Sequence, residues 1–100
     1  MYFTSTRAAK NVTAAQAIAQ GISEDGGLFV PSEFPVIDAD TMNALVNMSY
    51  KERAKKVLAY YLNDYTQEEI DHCVECAYTG NFDNEEPAPL ASLGDKLHIL

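Results

Sequence analysis

The stretch that organises this chain is Asp25-Gly26-Gly27-Leu28-Phe29-Val30-Pro31. Two adjacent glycines permit the positive φ angles of a tight reversal, and the three apolar residues after them pack well on a pleated sheet. Pro31 has no N–H to donate to a strand ladder, so it favours the end of a strand. The stretch therefore predicts a turn that leads into a short buried strand.

The segments before this turn predict a strand and a helix that pack with it. Tyr2 and Phe3 stand at the start of a run, residues 2–6, that favours an N-terminal strand beside the one at residues 28–30. Thr13 and Gln16 have the T-x-x-Q spacing of a capping box, and Gly21 stands where a left-handed residue often ends a helix. The predicted apolar stripe of this helix consists of Ala14, Ala17 and Ile18.

A loop and a short helix follow the predicted strand. Residues 32–40 contain a second proline, Pro35, and end in two candidate N-caps, Asp38 and Asp40. The spacing then predicts a helix over residues 41–47. Its inward side chains are predicted to be Met42, Leu45 and Val46.

Two longer helices are each introduced by a further capping box. Ser49 with Glu52 begins one that runs to about Leu62, and Thr66 with Glu69 begins another that ends near Gly80. The predicted stripe of the first is Tyr50, Ala54, Val57, Leu58 and Tyr61, and that of the second is Ile70, Cys73, Val74, Ala77 and Tyr78. A short loop between two such helices predicts an antiparallel helical hairpin.

The composition changes after residue 80. Residues 81–96 hold prolines and acidic residues without helical periodicity, which is typical of an inter-domain connection. Leu97-His98-Ile99-Leu100 is strand-like and has no turn after it, so we expect the sequence to continue in a longer protein. The fold class predicted is α+β: a mostly helical small domain with a short β-hairpin or two-to-three-stranded sheet near the N-terminus.

The charge of the chain argues against several classes of partner. Its 15 acidic and 7 basic side chains give a net charge of −8, which disfavours binding to nucleic acid or to an anionic membrane. The longest apolar run, residues 57–62, has six members, far short of a membrane span. The start of the chain lacks the pattern of a signal peptide, so we expect a cytoplasmic protein, and we interpret the Asn11-Val12-Thr13 glycosylation pattern as a chance match.

Cys73-Val74-Glu75-Cys76 is a C-x-x-C, but its position argues against redox or metal chemistry. A redox dithiol normally lies at a helix N-terminus, whereas this pair lies inside a predicted helix that begins at Thr66. A zinc site needs about four ligands, and only His72 and His98 could join, with His72 on the far face. We interpret both cysteines as structural and assign no metal residues.

Ser5-Thr6-Arg7 is the one polar cluster with chemical potential. An arginine beside two hydroxyls can bind phosphate or carboxylate through charge-assisted hydrogen bonds. The alternative is that Arg7 pairs with one of the 15 acids of the chain. No serine, threonine or cysteine has a histidine at a recognisable nucleophile spacing, so no residue is assigned a catalytic role.

Taken in order, several of these segments resemble the N-terminal domain of threonine synthase. They are Ser5-Thr6-Arg7, Ala17-Ile18, Gln20-Gly21, Asp25 to Pro31, Ala88-Pro89-Leu90 and Leu97 to Leu100. The run from Ala17 to Pro31 is the most specific part, and the resemblance spans nearly the whole chain. It implies that residues 1–80 are an N-terminal helical cap domain of threonine synthase and that residues 81–100 are a connection and first strand leading toward a catalytic domain.

The resemblance also implies the activity of the longer protein. Threonine synthases are pyridoxal-phosphate enzymes of the tryptophan-synthase-β type of fold that convert O-phospho-L-homoserine and water into threonine and phosphate. They use a lysine Schiff base, with the cofactor as electron sink. In the family that lysine follows the strand which Leu97 to Leu100 begins, so neither catalytic nor cofactor-binding residues are carried over to this chain. The five lysines here are Lys10, Lys51, Lys55, Lys56 and Lys96.

By this resemblance, the partners are the remaining domains of the same chain and, in the full-length enzyme, O-phosphohomoserine. The isolated segment is expected to be non-catalytic and to bind no pyridoxal phosphate. The competing hypothesis is a free-standing acidic helical module that binds another protein, which the net charge of −8 and the capped helices favour.

Overall fold

An N-terminal antiparallel sheet forms where the sequence predicts one. The structure, a computed structural model, describes residues 1–100. The sheet consists of β1 (Phe3–Ser5), β2 (Asn11–Val12) and β3 (Phe29–Pro31), in the order β2-β1-β3. In the register, Thr4 lies opposite Val30 in β3, and Phe3 lies opposite Val12 in β2. The prediction that the N-terminal strand pairs with the strand after the glycine turn is therefore confirmed.

The burial predicted for β3 is wrong. Val30 is 38% exposed, and Leu28, which bridges to Ile22 just before the strand, is 63% exposed. A three-residue strand has two faces, and the chain covers only part of either one. An apolar run therefore identified the strand but not the extent of its burial.

Helix α1 (Ala14–Gln20) begins and ends at the predicted residues. Thr13 and Gln16 form the reciprocal capping box, with the Thr13 N–H donating to Gln16 Oε1 at 3.0 Å, and the C-cap Gly21 has a φ of 75°. Ala14 and Ala17 are buried, as expected. Ile18 is 62% exposed, so its predicted inward position is wrong.

Helix α2 (Ala39–Val46) begins two residues before the predicted start. Its N-cap is Asp38, whose carboxylate accepts the Thr41 N–H at 2.7 Å, and the Arg53 guanidinium donates to the Leu45 carbonyl near the other end. The side chains of Met42 and Val46 are 52% and 72% exposed, so two of the three predicted inward positions are wrong. No other element of the chain covers the apolar face of this helix.

The two long helices form the predicted antiparallel hairpin. Helix α3 (Tyr50–Tyr61) and helix α4 (Gln67–Tyr78) each carry their predicted capping box. Tyr50 at the start of α3 makes an edge-to-face contact with Tyr78 at the end of α4, with ring centroids 5.0 Å apart. Ile70 and Val74 are buried. None of the four helices has the length and apolar content needed to cross a bilayer.

One face of α4 departs from its predicted pattern. Cys73 and Ala77 are exposed although the helical spacing placed them in the apolar stripe. Ile70 and Val74 are buried and Tyr78 packs on Tyr50, so only the edge of the predicted stripe stays in contact with solvent.

Charged side chains join the two long helices outside their apolar contact. Lys51 Nζ and Lys55 Nζ lie 2.8 Å and 3.0 Å from the two carboxylate oxygens of Glu75. Hydrogen bonds from Lys51 and then Lys55 lower the pKa of Glu75 from 4.5 to about 2. One acid on α4 thus bridges two bases on α3.

A single carboxylate connects the helical hairpin to α1. Asp64, in the loop between α3 and α4, accepts the Ala15 N–H at 2.9 Å. The hydrogen bond from this backbone N–H is the main cause that lowers the pKa of Asp64. The first N–H groups of a helix have no hydrogen-bond acceptor within that helix. Asp64, from another segment, therefore provides an acceptor for one of these N–H groups of α1.

A two-stranded hairpin ends the described chain. Strand β5 (His98–Ile99) pairs antiparallel with β4 (Ala91–Ser92), and His98 Nδ1 lies 2.9 Å from Ser92 Oγ. The strand near Leu97 was predicted, but β4 was not, because its two residues lie in a segment without apolar alternation.

The chain leaves more surface open than a compact domain of its size. Its Cα radius of gyration is 16.3 Å, against about 13 Å expected for 100 compact residues. Its accessible surface is 7461 Å², against roughly 5,600 Å² for a compact monomer of the same mass. Only 8 of the 100 residues are buried. The elements are well capped individually but share little core.

The lysine bridge predicts a specific acid response. Because the pKa of Glu75 is depressed from 4.5 to about 2, its stabilising effect is full above pH 4.5 and is lost as the pH falls towards 2. Glu75→Gln should lower the thermal midpoint at neutral pH, and the difference from the unchanged chain should disappear near the acid end of that range. Circular dichroism melts across this range measure it. Glu33→Gln, which removes an acid without a bonded partner, is the control, and an equal effect of both changes would contradict the prediction.

Candidate functional site

The centre of the predicted turn is the carboxylate of Asp25. It accepts the Ser5 hydroxyl, with Ser5 Oγ at 2.7 Å and 2.9 Å from its two oxygens, and the Gly27 N–H at 2.9 Å. Ser5 is the last residue of β1 and is 6% exposed. The turn before β3 is thus joined to the strand beside it by an ionised group.

The same contacts set the protonation state of Asp25. The hydrogen bond from the Gly27 N–H, and next that from Ser5, hold the pKa of Asp25 below its ordinary value. The carboxylate is therefore ionised at neutral pH and acts as a hydrogen-bond acceptor. It is not suited to donate a proton.

The two glycines of the turn are required for different reasons. Gly26 has a φ of 77°, as expected for a reversal, whereas Gly27 does not have a positive φ, so that part of the prediction is wrong. At Gly27 the constraint is space. A Cβ there would overlap Ser5 Oγ and would lie 3.0 Å from Asp25 Oδ1 and 3.1 Å from the Arg7 backbone nitrogen.

The structure brings the predicted Ser5-Thr6-Arg7 cluster to this turn. Thr6 Oγ1 accepts the Leu28 N–H at 3.1 Å, and the Arg7 side chain donates to the Asp25 carbonyl at 3.3 Å. Both hydroxyls therefore serve the turn. Arg7 forms no ion pair with a carboxylate, and its exposed guanidinium keeps donors that the turn does not use.

A second feature is an open apolar groove between the sheet, α1 and α3. It has a volume of about 590 Å³, and 9 of its 11 lining residues are hydrophobic. The main contributors are Phe3, Ile18, Phe29, Phe34, Leu58 and Tyr61. Sequence reasoning missed this groove because its walls come from four separate segments. The only signal was the presence of Phe34 in a loop that has no apolar periodicity.

The cysteines and histidines do not assemble into a metal centre. Cys73 and Cys76 are free and exposed, and Cys76 Sγ lies 3.7 Å from His72 Nε2, one helical turn earlier. His98 contacts Ser92 in the terminal hairpin. No group of three or more histidine, cysteine or acidic side chains is placed to hold a metal ion.

The lysines are not placed to hold a carbonyl cofactor. Lys51 and Lys55 pair with Glu75, and Lys10 lies 3.2 Å from Glu24. Lys56 and Lys96 are exposed. A Schiff-base lysine needs a pocket that lowers its pKa and orients it, and none of these five side chains has one. The five lysines of this chain therefore do not fit the role of a Schiff-base residue for pyridoxal phosphate.

A hydrogen-bonded turn and an uncovered apolar groove are the two main features of this small α+β domain. The family model described as the N terminus of threonine synthase matches residues 2–78. The chain belongs to this family of threonine synthase N-terminal domains.

Individual relatives agree with this membership. The chain is 30% identical to threonine synthase of Schizosaccharomyces pombe over 101 residues, covering 99% of this chain and 20% of that protein. It is 34% identical to mouse threonine synthase-like 1 over 89 residues, covering 86% of this chain and 12% of that protein.

Two solved structures share the fold. Threonine synthase of Brucella melitensis with bound PLP superposes with a TM-score of 0.83 at 30% identity, over 99% of this chain and 22% of that one. The Escherichia coli enzyme gives a TM-score of 0.79 at 23% identity, over 98% of this chain and 22% of that one. The chain thus spans about one fifth of the length of the threonine synthases that it matches.

The close contact at Gly27 predicts a localised stability loss. Gly27→Ala places a methyl group against Ser5 Oγ and should destabilise the fold by about 1–3 kcal/mol, as overpacking does elsewhere. Urea unfolding followed by circular dichroism measures it. Gly94→Ala is the matched control because nothing lies within 4 Å of the added Cβ. Equal urea midpoints for Gly27→Ala and Gly94→Ala would contradict the prediction, because the turn would then accommodate the added methyl group without loss of stability.

Proposed function

We propose that this chain is the N-terminal domain of a cytoplasmic, pyridoxal-phosphate-dependent threonine synthase. The parent converts O-phospho-L-homoserine and water into L-threonine and phosphate. The observation that carries the proposal is the family match over residues 2–78, in a chain that spans about one fifth of its relatives. The PLP bound to the Brucella melitensis relative supports the assignment of the cofactor to the parent.

The domain itself is proposed to be non-catalytic. The pyridoxal cofactor supplies an electron sink when it is bound, and the residues that hold it belong to the rest of the parent. Residues 1–80 form the cap domain, and residues 81–100, with the hairpin of β4 and β5, form the connection that leads toward the catalytic domain. The exposed or ion-paired state of all five lysines supports this division of roles.

An acidic free-standing module is the weaker hypothesis. It shares the net charge of −8 and the open apolar faces. It does not account for the match of nearly the whole chain to one end of much longer proteins that share a name.

The activity is tested in the full-length parent. Purified parent with pyridoxal phosphate should release phosphate from O-phospho-L-homoserine and form threonine in equal amounts, measured by a phosphate assay and amino-acid analysis. Residues 1–100 alone should neither release phosphate nor show a cofactor absorption band. A parent that gives no phosphate would overturn the activity, and a cofactor band from residues 1–100 would overturn the non-catalytic role.

A second test concerns the free donors of Arg7. If its guanidinium binds the anionic substrate in the parent, Arg7→Ala should raise KM or lower turnover by about tenfold, as expected for one charge-assisted hydrogen bond. Steady-state kinetics of phosphate release measure it. Lys10→Ala is the control, because it removes a nearby cation that is already paired with Glu24. Unchanged kinetics for Arg7→Ala would assign the arginine to the turn alone.

A further inference from the structure

The apolar groove contains two large, strongly exposed hydrophobic side chains. Ile18 on its α1 wall is 62% exposed, and Phe34 on the loop after β3 is 82% exposed. Ile18 lies on the capped helix α1, whereas Phe34 lies in the loop three residues after the end of β3. The exposure of Ile18 therefore belongs to a well-formed element.

The lining of the groove also lacks charge. Of all residues in the chain, 22% are charged, yet none of the 11 residues lining the groove is. Large exposed apolar patches on soluble proteins mark interaction surfaces. A lining without charges fits an occupant that presents aliphatic or aromatic side chains and no ion pairs.

The amount of open surface agrees with a missing domain contact. The accessible surface of 7461 Å² exceeds that of a compact monomer of this mass by roughly 1,800 Å². Interfaces between domains of one chain bury about 600–1,500 Å². One such interface would cover about one third to four fifths of this excess.

Charge and tethering distinguish two possible occupants of the groove. A second copy of this chain would bring another net charge of −8 to the same surface, and like charges oppose association. In the relatives, about four fifths of the length lies outside the part that this chain matches, so a longer parent offers a partner surface in the same chain. It is also tethered, which gives it a high effective concentration.

We propose that the groove formed by β1, β3, α1 and α3 is the surface on which this domain docks against the following part of its own parent chain, through an apolar segment of that part. This inference rests on the proposed function, because it takes the parent to be a threonine synthase with further domains. Ile18 and Phe34 are buried in the docked state. Burial of Ile18 agrees with the apolar periodicity of α1, which predicts an inward position for this side chain.

The test uses the full-length parent and hydroxyl-radical oxidation read by mass spectrometry. Phe34 and Tyr61 should be oxidised at least about tenfold more slowly in the native parent than in the urea-unfolded parent, the factor that corresponds to about 1.4 kcal/mol. Ile18→Glu places a charge in the groove and should restore most of the oxidation. Ala19→Glu is the matched control, since it adds the same charge to the exposed neighbour on α1 outside the groove.

A second variant keeps the outcome interpretable. Phe34→Glu lies in a loop, so its effect on Tyr61 oxidation does not depend on the stability of α1. Rapid oxidation of both aromatic side chains in the unmodified parent overturns the inference. Protection that appears only in a dimer, as judged by analytical ultracentrifugation, assigns the groove to a second copy and overturns it also. The phosphate assay of the same samples reports separately on the proposed activity, so the two can fail independently.

Discussion

The structure depends first on the ionised carboxylate of Asp25. It receives the Ser5 hydroxyl from the end of β1 and the Gly27 N–H from its own turn, so it holds the reversal before β3 against the strand that β3 must pair with. The close approach leaves no room for a Cβ at Gly27. The contact lies beside the pairing of β1 with β3, two strands that also form one wall of the groove. It joins segments 20 residues apart in the sequence, which is why a local turn can organise a sheet.

The second constraint is the small size of the core. Only Val12, Ala14, Ala17, Ile70 and Val74 are buried apolar residues, and they lie in two groups, one around α1 and one between the long helices. Capping boxes, the Glu75 bridge and the Asp64 contact to α1 supply polar connections in place of a shared interior. Such contacts fix geometry more than they stabilise, because exposed ion pairs contribute little. The domain therefore leaves much of its apolar surface uncovered.

The uncovered apolar surface agrees with membership in a family of domains that form one part of longer proteins. A threonine synthase N-terminal domain that covers one fifth of its relatives is expected to have a face without solvent-adapted residues, and the uncharged groove is such a face. The polar cluster of Ser5, Thr6 and Arg7 is a candidate anion site in the sequence. In the structure its two hydroxyl groups form hydrogen bonds that stabilise the turn. Only the Arg7 guanidinium remains available for other chemistry.

The sequence by itself determined the four helices, the strands β1 and β3, and the starts of three helices. Thr13, Ser49 and Thr66 with their glutamine or glutamate partners located three helix starts, and the glycine turn located β3, because caps and turns depend on residues only a few positions apart. Only the tertiary structure decided that Ile18, Met42, Val46 and Cys73 are exposed. It also decided the pairing of β4 with β5 and the existence of the groove. Periodicity shows which face of an element is apolar, but burial requires a second element to cover that face, and the position of that element is set by contacts distant in the sequence.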